Sequence, residues 1–227
     1  MTSFKLLFEG WRGFLNESVG IDNILSKIKY LEEKARRSGE NIVIIYKEES
    51  EGYGKIEYSG YHAENSFDGD ALNGSIEFES TEENWPEGFA LGGYRITETY
   101  KTTKGFGPLL YEIIIEKVSE KDSFLMSDRH NVTDDARRVW DIYMSRPDIE
   151  KIQLDINEDE SEDIGIEQLT PEYPDDDTSM ESAIADKGTL HWMDSSLSKG
   201  YYKIKGNTPV LDFLRKSKFI DFIEDNY

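Results

Sequence analysis

The chain contains no cysteine, which excludes disulfides and thiolate metal sites and fits a reducing compartment, so a cytoplasmic location is expected. It also lacks any apolar run near the roughly 20 residues that a membrane-spanning helix needs, so no membrane is expected among its partners. No basic flank followed by a continuous apolar core opens the sequence, and no secretory signal is expected. Histidine is scarce: His62, His130 and His191 stand far apart, and no metal-ligand spacing is visible. There is no internal repeat. Cations are in deficit, with 26 Lys and Arg against 47 Asp and Glu and a net charge of −21. Non-specific nucleic-acid binding needs a cationic surface, so direct nucleic-acid binding is not expected. An acidic surface instead keeps a protein soluble, fits a basic partner, or presents a nucleic-acid mimic to one.

What is present is enough for a folded core. Apolar residues make up 37% of 227 residues, which predicts one domain, or one domain with an appendage. Phe4, Leu6, Leu7, Phe8, Trp11, Phe14 and Leu15 recur at helical spacing. A second amphipathic helix is predicted over residues 22–37, with Ile21, Ile24, Leu25, Ile28, Leu31 and Ala35 as its stripe and Ser38-Gly39 as its stop. The period then shortens to that of strands, predicted over 41–46, 54–61, 75–79 and 89–100. The last of these carries Gly92-Gly93, which points to a bulge or the close approach of another backbone. A helix is predicted over 108–121, a short strand over 124–126, a helix over 134–145 capped by Asn131 or Thr133, and a short strand over 152–154. Between Asp155 and Asp186 lie thirteen acidic residues and no Lys or Arg, read as a mostly irregular exposed segment. Order returns at His191-Trp192-Met193 and Tyr201-Tyr202-Lys203-Ile204 and in a helix over 209–222 that docks Val210, Phe213, Leu214 and Phe219. The organisation is therefore a helical segment (1–39), a mixed core (40–154), an acidic irregular segment (155–187) and a C-terminal strand and helix extension (188–227). The acidic run opens like a calcium loop at Asp155, Asn157 and Asp159. Glu160 and Ile166 stand where an EF-hand needs Gly and Glu, which excludes that motif and leaves only weak cation binding open.

The stretch Lys104-Gly105-Phe106-Gly107-Pro108-Leu109-Leu110 joins a long strand to an apolar helix. Glycines before a helix N-terminus let an anion approach unpaired backbone N–H groups at the positive end of the helix dipole. Strand, glycine loop, helix, strand, helix, over residues 89–154, resembles the core of the GNAT superfamily of N-acetyltransferases. In that family a Q/R-x-x-G-x-G/A loop holds the pyrophosphate of acetyl-CoA. Here Thr102-Thr103-Lys104-Gly105-Phe106-Gly107 occupies the place of that loop. The helix Asn131-Val132-Thr133-Asp134-Asp135-Ala136-Arg137-Arg138-Val139-Trp140 is similar to the family's N-x-x-A-x-x-L-Y, with two extra residues between Asn and Ala.

The resemblance implies an α+β fold with a mixed, mainly antiparallel sheet flanked by helices, preceded by N-terminal helices and followed by a C-terminal extension. It implies acetyl-CoA as cofactor, held by Lys104, Gly105, Phe106, Gly107 and Leu109, and an amine acceptor, either a small molecule or a protein lysine. Amine attack on a thioester needs a base, an acid for the leaving thiolate and a donor to the carbonyl oxygen. Glu98, Asp128 and His130 are the candidate bases. The family's carbonyl donors lie beside a splay between two strands, where Gly92-Gly93 is one candidate opening and an ordinary bulge the other reading. Trp140 stands where the family often has a Tyr acid, so Tyr143, three residues on, is the candidate acid. Thr102 replaces Gln or Arg, and Pro108 removes one N–H from the loop. FEGWRGFLNE at the N-terminus resembles short amphipathic leaders of proteins from large tailed bacteriophages, some carried inside the head. Together with the FGPLLYE and Ala-x-x-Val-Trp stretches it implies a phage-encoded chain. A second function class therefore stays open: a non-enzymatic phage protein, either a virion component or an acidic decoy of a host nucleic-acid-binding protein, with a capsid or a basic protein as partner.

Overall fold

The computed structural model describes residues 20–39, 42–49, 52–60, 72–80, 93–99, 107–127, 132–157, 165–168 and 195–226. The predicted helix around residues 4–15 lies outside them. The amphipathic stripe on residues 21–38 forms α1 (Ile21–Ser38), which buries Ile24, Ile28, Leu31 and Ala35. It stops at Gly39, whose φ of 73° is left-handed and whose N–H reaches the Ala35 carbonyl. Only glycine takes that conformation at little cost, which is why the helix ends there.

Four strands then fold as an antiparallel meander: β1 (Ile42–Glu48), β2 (Tyr53–Gly60), β3 (Leu72–Ser80) and β4 (Gly93–Thr99). The chain crosses over through α2 (Gly107–Glu120) to β5 (Phe124–Met126), which is parallel to β4. Next come α3 (Asp134–Ser145), β6 (Glu150–Asn157) and β7 (Gly165–Gln168). The chain ends with a 3-10 turn (Ser196–Ser198), β8 (Lys199–Tyr202), α4 (Pro209–Leu214) and β9 (Ile220–Asn226). One open mixed sheet results, in the order β7-β6-β8-β5-β4-β3-β2-β1-β9. Among the described residues only the β4–β5 and β1–β9 pairs are parallel. The fold is α+β, as expected.

Alternation sets the two faces. Ile44, Tyr46, Ile56, Ile76, Phe78, Tyr94 and Ile96 point to the helical layer and join its core. The other face carries Lys55, Glu57, Glu77, Glu79 and Arg95, tied by Lys55–Glu57 and Arg95–Glu79 ion pairs at 2.8 and 2.5 Å. A small second cluster on that face holds Phe124 and Met126 with Ile152 and Tyr202. Helix α2 is central, and every residue from Gly107 to Ser119 is buried.

The C-terminal extension is part of the sheet. β8 inserts between β5 and β6, and β9 pairs with β1 over seven residues. The helix predicted over 209–222 is two elements. α4 ends at Leu214, and the Ser217 hydroxyl accepts the N–H groups of Phe219 and Ile220 at 3.3 and 3.1 Å. Those bonds turn the chain out of the helix, and Ile220 and Ile223 follow as β-branched strand residues. β7 places a short strand at 165–168, inside the segment read as irregular. The rest of that segment beyond β6 and β7 lies outside the described residues.

Candidate functional site

The point of interest is where β4 ends and α2 begins. β5 is three residues long and pairs only with Gly93, Tyr94 and Arg95 of β4. Ile96–Thr99 therefore runs on past the end of β5. On its other side β4 stays paired to β3, but the register shifts: Phe78 faces Ile96 while Glu77 faces Glu98. Thr97 is the extra residue of this bulge. Bulges bend a strand and re-aim its side chains, and they gather near sites. The chain returns as α2, and Thr99 Oγ1 lies 3.4 Å from Tyr111 Oη, fixing the end of β4 against the early turns of that helix. The first turn of α2 itself carries no acidic side chain. The Thr97 hydroxyl is buried and has no hydrogen-bond partner.

Among the cofactor residues implied by resemblance, Gly107 and Leu109 are buried in the first turn of α2. Lys104, Gly105 and Phe106 lie outside the described residues, as do Asp128 and His130. Glu98 is exposed at the end of β4, opposite Glu77. Tyr143 is 1% exposed. Its hydroxyl donates to the Pro108 carbonyl at 3.5 Å, at the start of α2, and its ring packs on Tyr111, Trp140 and Tyr201. Burial, first, and then the nearby Glu112 carboxylate hold its phenol well above the usual range. Trp140 is a packing residue, stacked on Tyr201 with ring centroids 5.4 Å apart. Gly92 lies outside the described residues. Gly93 sits in the paired part of β4 rather than the opening, and so does not supply the splay. A Cβ there would lie 2.5 Å from the Phe124 ring, and one at Gly200 would lie 2.3 Å from it. The two glycines let that ring lie flat across neighbouring strands.

One polar centre had no sequence forecast. Glu112 and Glu116, both wholly buried, project from α2 at i,i+4. Arg146, just past the end of α3, grips Glu112 with two bonds of 2.6 and 2.9 Å and also holds Asp148 at 2.5 Å. Lys203, likewise fully buried, bridges Glu112 at 2.5 Å and Glu116 at 2.7 Å. The Glu116 carboxylate also accepts the N–H groups of Val210 and Leu211 at 3.2 and 2.8 Å, capping α4. Burial outweighs these favourable partners and pushes the Glu116 carboxyl up to about 7. The sequence signal was two glutamates set in the apolar helix LLYEIIIEKV. Their cationic partners are 34 and 87 positions away, beyond the reach of any local pattern. Each charge meets an opposite one, which makes the cluster a structural tie.

A second tie joins the far end of α2 to the sheet. The Tyr46 and Tyr94 hydroxyls donate to Glu48 at 2.7 and 2.8 Å, and Lys121 pairs with the same carboxylate. Among the described residues no cluster of three or more His, Asp or Glu side chains is placed to hold a metal, and no helix is long and apolar enough to cross a membrane.

These features define an α+β protein with one open mixed sheet, a β4–α2–β5 crossover and a bulged strand that outruns its parallel neighbour. No known family model matches the sequence, no curated protein matches it, and no solved structure matches it.

Proposed function

We propose that the chain is a divergent GNAT-type N-acetyltransferase, using acetyl-CoA to acylate an amine. The observation that carries this reading is the junction of β4 and α2. A bulged strand runs past the short parallel strand β5, and the chain then re-enters as a helix through Lys104-Gly105-Phe106-Gly107. In this reading the N-terminal N–H groups of α2 hold the cofactor's pyrophosphate. Bound acetyl-CoA would supply the activated acyl group. Glu98, exposed at the rim, is the described candidate for accepting the proton of the attacking ammonium. Tyr143 is the candidate acid, with its hydroxyl at the first turn of α2. The charge of −21 favours a cationic acceptor such as a polyamine or a lysine of a basic protein.

A second reading, a non-enzymatic phage protein that keeps this fold, draws support from the near-complete burial of Tyr143 and from the acidic surface. It places the chain in the host cell or the virion, against a basic protein or a capsid.

Calorimetry and thermal melting with acetyl-CoA separate the two. The enzyme reading expects heat of binding and a raised Tm, because a ligand selective for the folded state must stabilise it. Gly107→Val should abolish both while the circular dichroism spectrum stays native. Neither heat nor shift at about millimolar acetyl-CoA, a Kd range worth only ~4 kcal/mol, overturns it.

A further inference from the structure

β9 ends the sheet, and no strand pairs with its outer edge among the described residues. The Ile42 N–H donates to the Phe219 carbonyl at 3.1 Å, and Ile42 is level with Ile220 in a parallel ladder. Backbone groups alternate in direction along a strand. Those of Asp221, Ile223 and Asp225 therefore face β1, and those of Ile220, Phe222 and Glu224 face outward. The Ile220 N–H is taken by the Ser217 hydroxyl at 3.1 Å. The Ile220 carbonyl and both backbone groups of Phe222 and Glu224 have no partner among the described residues. Monomeric proteins blunt such edges with very short strands, proline, lysine or bulges. β9 is seven residues long, contains no proline or lysine, and follows β1 without a register shift. The Glu224 side chain is turned away from the edge, to Lys117 and Arg215 at 2.8 Å each. Ile220 joins the helical core, so alternation puts Ile223 on the other face, where it is 41% exposed.

We infer that this edge pairs with the same edge of a second copy of the chain, antiparallel about Phe222, so that two sheets join into one. The pairing is independent of the chemistry at α2. Charge order along the chain selects this occupant. Exposed Lys216 and Lys218 stand before the strand, and Glu224 and Asp225 stand near its end. A two-fold interface must be self-complementary, and antiparallel pairing lays the cationic end of each copy along the acidic end of the other. A foreign strand of one charge sign would be repelled at one end. The register follows from the backbone. Outward groups bond only to outward groups, so the two-fold axis passes Asp221, Phe222 or Ile223. Centred on Asp221, the pairing sets two carboxylates face to face, and centred on Ile223 it sets Asp221 opposite Asp225, both unfavourable. Centred on Phe222, it sets Asp221 opposite Ile223 and covers that exposed side chain. The two Phe222 residues then exchange N–H···O=C bonds, and each Glu224 N–H meets the Ile220 carbonyl of the other copy. Phe222, which packs against the helical core, gains its own counterpart as a cross-strand aromatic neighbour.

The test is sedimentation equilibrium of the full chain at about 5–200 μM, a range suited to an interface of one strand pair. Wild type should pass from monomer to dimer across it. Each copy carries a charge of −21, so raising the salt from about 0.05 to 0.5 M should tighten the dimer severalfold by screening the repulsion. Ile223→Glu sets a carboxylate opposite Asp221 from an exposed position. It should weaken the dimer by about tenfold or more, with the monomer's melting temperature nearly unchanged. Cysteines read the register, and the chain has none of its own to interfere. Asp221→Cys and Ile223→Cys in one chain should give disulfide-linked dimers, because across the axis these positions face each other at about 4.5 Å between Cα atoms. Within one chain they lie roughly 6.6 Å apart with parallel side chains, beyond disulfide reach. Either cysteine alone should link poorly. A monomer at every concentration and salt overturns the inference. So does a dimer that Ile223→Glu leaves intact, a double-cysteine chain that does not cross-link, or Asp221→Cys alone linking as readily as the pair.

Discussion

Replacing Lys203 with methionine keeps most of the side chain's length and apolar stem and removes its charge. The site is severe because the pairs Lys203 makes are out of water: Lys203 is 1% exposed, and Glu112 and Glu116 are 0%. Without the ammonium, Arg146 still pairs with Glu112 through two bonds, but Glu116 keeps only the N–H groups of Val210 and Leu211. One carboxylate is then buried without a counter-charge. Breaking a buried pair from one side costs about 3–5 kcal/mol, against about 5–15 for a whole domain. Urea unfolding at pH 8 should therefore show Lys203→Met losing about a fifth or more of the wild-type stability. The deficit should shrink in acid. Glu116 already has its carboxyl raised from 4.5 to about 7, so its contribution to stability is present below 4.5 and is lost as pH rises through 7. Removing Lys203 raises that carboxyl further, so at pH 5 it is protonated in the variant and nothing charged is left unpaired. Lys203→Met combined with Glu116→Gln should recover part of the loss at pH 8 for the same reason. A deficit below about 1 kcal/mol at pH 8, or one independent of pH between 5 and 8, would refute the reasoning.

Two further substitutions probe the scaffold. Gly39→Ala meets no atom within 4 Å but forces a side chain into φ 73°, so it should cost about 1 kcal/mol by denaturant melt with the m-value unchanged. Gly93→Ala drives a methyl to 2.5 Å from the Phe124 ring and should cost about 1–3 kcal/mol. Phe124→Leu in the same chain should give a smaller loss than the sum of the two single changes, because they share one contact.

The elements legible in the sequence were those whose burial is local and periodic. Residues 124–126 and 134–145 form β5 and α3 as read, and the Thr133 hydroxyl accepts the Ala136 N–H at 3.2 Å as a cap should. The stripe Ile24, Ile28, Leu31, Ala35 is the buried face of α1. What failed depends on distant partners. Phe219 and Phe222 fit a helical period with Val210 and Phe213, but pairing with the edge of β1, about 180 positions earlier by the Ile42–Ile220 pairing, takes Phe222 into a strand and leaves Phe219 in the bend before it. The site divides the same way. The glycines proposed to hold the cofactor are local in sequence, between β4 and α2, and so could be singled out without knowing the fold. The bulge at Thr97 could not, because it exists only through the register of β4 against β3. The Gly92-Gly93 pair drew notice in its place, and the described half of it serves the packing of Phe124.

The buried ionic cluster and the junction of β4 with α2 share one helix, and this links the C-terminal elements to the proposed chemistry. A helix whose N-terminus receives a phosphate has to be fixed along its own axis, since a slide of one residue moves its N–H groups by about 1.5 Å. Apolar packing on all sides resists such a slide weakly, because one Leu or Ile replaces another with little change. Glu112 and Glu116 resist it strongly, because each has a partner of opposite charge at a set height: Arg146 and Lys203 for the first, Lys203 and the start of α4 for the second. Lys117 adds a third fixed point through Glu224 of β9 at 2.8 Å. In this arrangement β8, α4 and β9 do more than extend the sheet. They supply charges that hold α2 in register with the end of β4, where Thr99 meets Tyr111.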